Sequence, residues 1–257
     1  TWDLMEMLCG ARVTSNYVRI GGVKHDMPPS FPGVCRENIA KIRALLRDYE
    51  SVVTQNRLFV DRLRGTGMIA RQTLIDYAVT GPLLRAAGVP MDLRKDQPYL
   101  KYAELDFDVP IGEVGDNYDR YLVCVEEMQQ SLRIIEQCLV ALEKTGAGPV
   151  NVDDPRVRWP AKGRVFNRME ELIQQFKAVT EGPLVPAGEA YHAIESANGE
   201  LGFYVVSDGT AQPWKVRCRP PSFVNLQPMP LMLKGAMLAD LIPTFDFLNM
   251  IGGECDR

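Results

Sequence analysis

The sequence predicts a mainly α fold, an α-helical core with one small antiparallel β-sheet, and three stretches indicate it. Apolar residues recur at helical spacing over Val34–Arg64 and again over Asn117–Lys144. Between residues 189 and 219, three short segments rich in β-branched and aromatic residues are separated by "ANGE" and "GTAQ", a pattern typical of a meander. Because no repeat or low-complexity tract interrupts the chain, we expect a single domain over residues 1–257.

The first local motif is "SNYVRIGGV", residues 15–23. In a helix-compatible run, Arg19 would complement the negative end of the helix dipole. Gly21 and Gly22 would then form the C-cap. The motif therefore predicts a helix end.

Less regular segments flank the two long helices. Asp116 is a credible N-cap for the second helix, and Gly146 follows its last periodic residue. Residues 80–99 are punctuated by glycine and proline, which predicts a short helix and an ordered loop. After a surface connection, a shorter helix is expected over residues 166–179, and a proline-bounded helical stretch over about 226–242.

Composition and charge exclude several classes of protein. Fractions of 46% hydrophobic and 24% charged residues are those of an ordinary globular chain. A net charge of -4 without a basic tract argues against a nucleic-acid partner. No run of about 18 apolar residues predicts a membrane-spanning helix, and "TWDLMEMLCG" lacks the basic n-region of a signal peptide. Since the chain also lacks an initiator methionine, we expect a fragment of a longer protein.

The six cysteines and two histidines form no familiar metal or catalytic motif. No two cysteines lie within four residues of each other, so the CxxC pattern of zinc ribbons is absent. Counting leaves disulfides open, although small structural thiols in a reducing cytoplasm are the favoured interpretation. His25 and His192 are far apart, which excludes an HExxH site. Phosphate-binding and dinucleotide-binding loops and a GxSxG elbow are also absent.

Five blocks of sequence carry more information than their local patterns. They are "ARVTSNYVRIGGV" (11–23), "GPLLRAAGVPMDLRKDQPYLKY" (81–102), "GDNYDRYLVCVEEMQQSLRII" (115–135), "ESANGELGFYVVSDGTAQPWKVRCRPPSFVNLQ" (195–227) and the terminal "GECDR". In this order they resemble the D-type subunit of respiratory complex I (NADH–quinone oxidoreductase), called the H-type subunit in chloroplast-type relatives. That family is related to the nickel–iron hydrogenase large subunit, and the chain resembles the C-terminal part of such a subunit.

The resemblance implies both a fold and an activity. The fold is that of the nickel–iron hydrogenase large subunit, as a single domain truncated at its N-terminus. The CxxC pairs that would hold nickel and iron are missing, so no metal site is expected in this chain. The resemblance implies instead a quinone-cavity subunit that helps to pass electrons from a neighbouring iron–sulfur cluster to quinone, coupled to ion translocation. Two alternatives stay open, a degenerate non-catalytic scaffold and a relative that uses ferredoxin or another donor in place of NADH.

The cofactors and partners that the resemblance implies lie outside this chain. Quinone is the substrate, a neighbouring B-type subunit carries a [4Fe-4S] cluster, and other subunits hold NADH and FMN. The expected partners are other complex I subunits, above all the B-type and C-type subunits, without nucleic acid. The expected location is the peripheral arm, on the cytoplasmic face of the inner membrane or the matrix or stromal side, with the membrane reached only through the assembly. The fragment alone is expected to be inactive.

By resemblance, Thr14 and Arg19 are candidates for residues that face the quinone cavity or the cluster. A fixed positive charge at Arg19 would favour the reduced forms there. The alternative for Arg19 is a helix-end cation in a structural ion pair. Thr14 stands where many members have histidine; because threonine does not titrate near neutral pH, redox-linked proton uptake at this position is expected to be missing.

Asn249 and Ile251 are the candidates near the other end of the chain. Asn249 stands where relatives commonly have aspartate, and Asn198 stands where they tend to have lysine or arginine. Because asparagine keeps the hydrogen bonds without the charge, a proton-donor role at position 249 is weakened.

Secondary candidates are Glu195, Asp256 and Arg257. Glu195 is expected to lie in the sheet beside the cavity, with a structural hydrogen-bond role as the favoured alternative. With Glu254, Asp256 and Arg257 would form an ion-pair cluster that anchors the C-terminus, or take part in catalysis. The charged "DLRK" segment, residues 92–95, is interpreted as structural or interfacial.

Overall fold

The protein, seen in a computed structural model, is mainly helical with a small antiparallel sheet, which confirms the predicted fold class. The structure describes residues 1–256. The helices are α1 Trp2–Cys9, α2 Phe31–Tyr49, α3 Arg57–Leu63, α4 Arg71–Asp76, α5 Pro82–Ala86, α6 Leu93–Asp96, α7 Asn117–Thr145, α8 Lys162–Val165, α9 Met169–Thr180, α10 Pro221–Leu226, α11 Met229–Leu233, α12 Leu241–Phe247 and α13 Gly252–Cys255. The strands are β1 Val18–Arg19, β2 Gly22–Val23, β3 Gly188–Ser196, β4 Gly199–Ser207 and β5 Lys215–Arg219.

The chain divides into two compact units. Unit 1 comprises Thr1–Lys41, Cys138–Glu189 and Val205–Lys215. Unit 2 comprises Ile42–Gln137, Ala190–Tyr204 and the segment that begins at Val216. The expectation of a single domain over residues 1–257 stays a prediction.

The second long helix, α7, agrees with its prediction at both ends. The Oδ1 atom of Asp116 accepts a hydrogen bond from the backbone N–H of Asp119 at 2.9 Å, as an N-cap does. Its Oδ2 atom accepts from the backbone N–H of Gly65 at 2.8 Å, which ties the start of α7 to the turn after α3. At the other end, Gly146 has a φ of 69° and donates its N–H to the carbonyl of Leu142.

We expect Asp116→Ala to lower the free energy of unfolding by about 1–2 kcal/mol, because two backbone N–H groups lose their acceptor. The matched control is Asp116→Asn, which keeps one acceptor oxygen and is expected to lose about half as much. Denaturant-unfolding curves of the purified chain measure both changes. Equal losses in the two variants would contradict the capping role.

The predicted first long helix is interrupted. α2 passes into a π-helical turn, Glu50–Thr54, and α3 begins three residues later. The β-branched "VVT" in this turn loses side-chain freedom in a helix. Asn56 then caps α3, its Oδ1 accepting hydrogen bonds from the backbone N–H groups of Leu58 and Phe59. The prediction of one helix over Val34–Arg64 is therefore wrong in its middle part.

The "SNYVRIGGV" motif is a β-hairpin and not a helix end. β1 pairs with β2 in an antiparallel ladder, with Arg19 opposite Gly22. The β-branched residues on either side of Arg19 favour extended backbone, and Gly21 at the turn has a φ of 89°. A Cβ at Gly22 would lie 2.1 Å from the carbonyl oxygen of Val150, so only glycine fits there. The predicted helix end at Arg19 is wrong.

The three-strand meander is confirmed, whereas the C-terminal helical stretch is not continuous. The strand order β3–β4–β5 follows the chain, and a two-residue turn joins β3 to β4. Between residues 226 and 242, the chain forms α11, a 3-10 turn at Leu238–Asp240 and the start of α12. Pro228 separates α10 from α11, and Gly235, with a φ of 82°, follows the end of α11.

The main apolar core of unit 2 packs α5 against α4, α11 and the end of α12. Its buried members are Leu74, Val79, Leu83, Leu84, Ala87, Met232 and Leu248. This core places α5 and the residues after α12, which carry the polar groups described below. Of the helices in residues 1–256, none has the length and apolar character that crossing a membrane requires.

Candidate functional site

Five charged side chains of unit 2 form a largely buried group, the Arg85 cluster. Its members are Arg85, Asp92, Arg94, Glu127 and Glu195. α5 carries Arg85, whose side chain is only 1% exposed. Its Nη1 donates to Oε1 of Glu195 at 2.7 Å, and its Nε donates to Oε1 of Glu127 at 2.8 Å. Because a buried charge is costly unless it is paired, each member depends on the others.

The pair Asp92–Arg94, at the start of α6, completes the cluster. The buried carboxylate of Asp92 accepts hydrogen bonds from Nε and Nη2 of Arg94 and from its backbone N–H. Burial opposes the ionisation of Asp92, but these bonds outweigh it and hold its pKa below the ordinary value. Burial raises the pKa of Glu127, and the charge of Arg85 offsets part of that effect. The bonds between Asp92 and Arg94 support a structural role for these two residues of "DLRK", and the interfacial alternative stays a prediction.

A second polar group of unit 2, the Asn198 network, contains only uncharged side chains. Its members are Thr80, Asn198, Ser222, Asn225 and Asn249. Nδ2 of Asn249 donates to Oδ1 of Asn198. Nδ2 of the buried Asn225 donates to the backbone carbonyls of Asn198, at 2.9 Å, and Thr80, at 3.3 Å. The network thus connects the β3–β4 turn to α10 and to the segment after α12.

The structure brings two of the predicted cavity residues to this network. Asn249 has a φ of 51°, and the backbone N–H of Ile251 donates to Oγ of Ser222 at 3.3 Å. The carboxylate of Glu254 accepts from the backbone N–H of Ser222 at 3.1 Å. Positions 198 and 249, where the resemblance implies charged residues, are therefore hydrogen-bonded to each other.

The secondary candidates are dispersed. Glu195 belongs to the Arg85 cluster, and its Oε2 accepts from the backbone N–H of Leu93 at 3.2 Å, which supports the structural alternative. Asp256 is exposed. Arg257 lies outside the described residues, so the terminal ion-pair cluster stays a prediction.

Thr14 and Arg19 belong to unit 1, whereas Asn249 and Ile251 belong to unit 2. Thr14 has a φ of 55°, which is rare for a β-branched residue, and its Oγ1 donates to the carbonyl of Val13. Arg19 is exposed and lines an open cavity of about 440 Å³. Arg19 lies in β1, so the helix-end part of the alternative is wrong. Within residues 1–256 Arg19 makes no ion pair, and a structural ion pair stays untested.

Sequence reasoning missed the buried Arg85 and Arg120 and the partly buried Glu127. The only local signal for Arg85 is a lone arginine among the apolar residues of "GPLLRAAG". Arg120 donates to the carbonyls of Gly67 and Gly115, and burial lowers its pKa to about 10. Over the described part of the chain, no three His, Cys, Asp or Glu side chains are placed to hold a metal ion.

Known proteins match the chain over its whole length. A family model described as "Respiratory-chain NADH dehydrogenase, 49 Kd subunit" matches residues 1–257. The D-type subunit of NADH-quinone oxidoreductase from Myxococcus xanthus is 50% identical over 255 residues, which are 99% of this chain and 61% of that protein. A D-type subunit of the same oxidoreductase from Anaeromyxobacter dehalogenans is 48% identical over 256 residues, 100% of this chain and 59% of its own length. A D-type subunit from Sorangium cellulosum is 46% identical over 256 residues, which are 100% of this chain and 63% of that protein.

The chain therefore spans about three-fifths of the length of these relatives. The match over residues 1–257 confirms the resemblance that the five sequence blocks indicated. The chain belongs to the family of the 49 kDa subunit of respiratory-chain NADH dehydrogenase, whose fold is that of the hydrogenase large subunit.

Proposed function

We propose that this chain is part of the quinone-cavity subunit of a respiratory NADH–quinone oxidoreductase. In this role it helps to pass electrons from a [4Fe-4S] cluster on a neighbouring subunit to quinone, coupled to ion translocation. The observation that carries the proposal is the match of the whole chain to relatives named as D-type subunits of NADH-quinone oxidoreductase. A degenerate scaffold and a relative with another electron donor are the alternatives, and neither is favoured by that match.

The cofactors and partners follow from this role. As the family resemblance implies, a B-type subunit holds the [4Fe-4S] cluster, and other subunits hold NADH and FMN. A C-type subunit is the second expected neighbour. The location is the peripheral arm, on the cytoplasmic face of the inner membrane or on the matrix or stromal side in an organelle.

The proposed cavity-facing residues are Thr14, Arg19, Asn249 and Ile251. The exposed guanidinium of Arg19 is free of ion pairs within residues 1–256, so its charge is available to a neighbouring redox group. Thr14 and Asn249 both have positive φ, a conformation that costs energy in residues other than glycine and clusters at functional sites. Asp256 and Arg257 remain secondary candidates, whereas Glu195 is assigned a structural role.

Arg19→Met tests the proposal in the assembled oxidoreductase. We expect it to lower quinone reduction by about tenfold or more, because a fixed charge that stabilises the reduced forms is lost. NADH oxidation with a hydrophilic electron acceptor should be unchanged, and Arg19→Lys should retain part of the activity. The isolated chain is expected to show no quinone reductase activity.

The matched control is Arg164→Met, which removes another exposed cation of unit 1. It should leave both activities unchanged. Equal rates of quinone reduction in Arg19→Met and Arg164→Met would contradict a role for Arg19 at the quinone site. Full activity of the isolated chain would contradict the proposed division of the cavity between subunits.

A further inference from the structure

We propose that the Arg85 cluster is a proton-binding site, in which the Oε2 atom of Glu127 takes up one proton from solvent. The carboxylate of Glu127 becomes a neutral carboxyl group in this step. The inference stands on the geometry of the cluster and does not depend on the proposed role in quinone reduction.

The charge balance of the cluster leaves room for one proton. Two guanidinium groups face three carboxylates, so the fully ionised cluster carries one excess negative charge. Asp92 and Glu195 are almost completely buried, and a buried charge without a counter-charge is strongly disfavoured. One proton makes the cluster neutral.

The hydrogen bonds indicate which carboxylate takes that proton. Both oxygens of Asp92 accept from Arg94, and both oxygens of Glu195 accept bonds, one from Arg85 and one from the backbone N–H of Leu93. Oε1 of Glu127 contacts Nε and Nη2 of Arg85. Its Oε2 accepts no hydrogen bond from the rest of residues 1–256. Since a proton on Oε2 breaks no existing hydrogen bond, Oε2 is the carboxylate oxygen of the cluster whose protonation costs the least free energy.

Solvent exposure and the neighbouring residues also favour Oε2 of Glu127 as the atom that binds the proton. The side chain of Glu127 is 18% exposed, against 4% for Glu195 and 0% for Asp92, so it is the carboxylate of the cluster with the most direct access to solvent. Burial raises its pKa. Cys124, one turn earlier on α7, has its pKa raised to about 11 by burial and stays neutral. The charged and titratable groups that face Glu127 are Arg85 on α5, Arg94 in α6, Glu195 on β3, and Cys124 on its own helix. Asp92, just before α6, pairs with the two arginines.

An infrared pH titration of the purified chain tests the site through the carbonyl stretch of a protonated carboxyl group. We expect a band that persists to higher pH than that of an ordinary glutamate and is lost in Glu127→Gln. The matched control is Glu126→Gln, at the preceding and exposed position, where Glu126 also accepts a side-chain hydrogen bond, from Gln130. That variant should retain the band.

The pH dependence of unfolding gives a second measurement. With a raised pKa in the folded state, the native chain binds more protons than the unfolded chain between the two pKa values. The stabilisation is therefore complete below the ordinary glutamate pKa and lost as the pH rises through the folded value. Glu127→Gln should flatten this dependence, and Glu126→Gln should not.

Two results would overturn the proposal. One is a band that persists in Glu127→Gln or that titrates as an ordinary glutamate does. The other is a Glu127→Gln chain that fails to fold, because glutamine has the shape and neutrality of the protonated form and a proton site must tolerate it.

Discussion

Arg85→Met is expected to lower the free energy of unfolding by about 3–5 kcal/mol, the usual effect of removing one partner from a buried ionic group. Methionine fills a similar apolar volume, so the main loss is electrostatic. Without the guanidinium, the carboxylates of Glu127 and Glu195 share a buried site with no cation between them. Denaturant unfolding of the purified chain at neutral pH measures the change.

The matched control for this prediction is Arg43→Met, also in unit 2. Arg43 makes two hydrogen bonds to the carboxylate of Glu136, at 2.7 and 2.8 Å, but their side chains are 39% and 40% exposed. An exposed pair of this kind contributes about 1 kcal/mol or less. Losses of similar size in Arg85→Met and Arg43→Met would show that burial does not increase the contribution of Arg85 to the free energy of unfolding.

The loss in Arg85→Met should shrink as the pH falls. Without Arg85, the charge that offsets part of the effect of burial on Glu127 is lost, so the folded pKa of Glu127 rises further. The folded variant then binds more protons than its unfolded chain, so its stability rises with decreasing pH relative to the native protein. Combining Arg85→Met with Glu127→Gln should reproduce part of this recovery at neutral pH.

The elements predicted correctly are those whose signals are local. For α7, periodicity, the cap at Asp116 and the glycine at 146 all lie within or beside the helix. The break after α2 also had a local signal, the β-branched residues 52–54, but helical periodicity outweighed it in the prediction. The hairpin at Arg19 had a local signal in the β-branched residues beside Arg19, but the contact that requires glycine at 22 comes from Val150, more than a hundred residues away.

In the candidate sites, too, the contacts between residues distant in sequence could not be predicted from local patterns. Resemblance selected Asn198 and Asn249 separately, and only the fold shows that they are hydrogen-bonded across 51 positions of sequence. The two carboxylates that accept hydrogen bonds from Arg85 lie 42 and 110 positions away, so no short window of sequence contains Arg85 with either of them. Burial of a charge is decided by such distant partners, and local patterns do not predict it.

The hydrogen bond between Asn198 and Asn249 predicts how substitutions at these two positions change the stability of the chain. Asn249→Asp is expected to lower the free energy of unfolding by about 2–3 kcal/mol, because it replaces the Nδ2 donor by an oxygen that faces Oδ1 of Asn198. Asn198→Lys is expected to be destabilising as well, since it places an ammonium group at a buried position.

The double variant Asn198→Lys with Asn249→Asp should lose less free energy of unfolding than the two single variants lose together. The resemblance implies an aspartate at 249 and a lysine or arginine at 198, and the hydrogen bond between these positions places them close enough for the ammonium and carboxylate to form an ion pair. We therefore expect a favourable coupling of about 1–3 kcal/mol. Denaturant unfolding of the four chains measures it. Asn249→Asp with Gln55→Lys, a lysine at an exposed position of unit 2, is the matched control and should be additive. Equal coupling in the two cycles would mean a general charge effect, and no coupling would mean that positions 198 and 249 act independently.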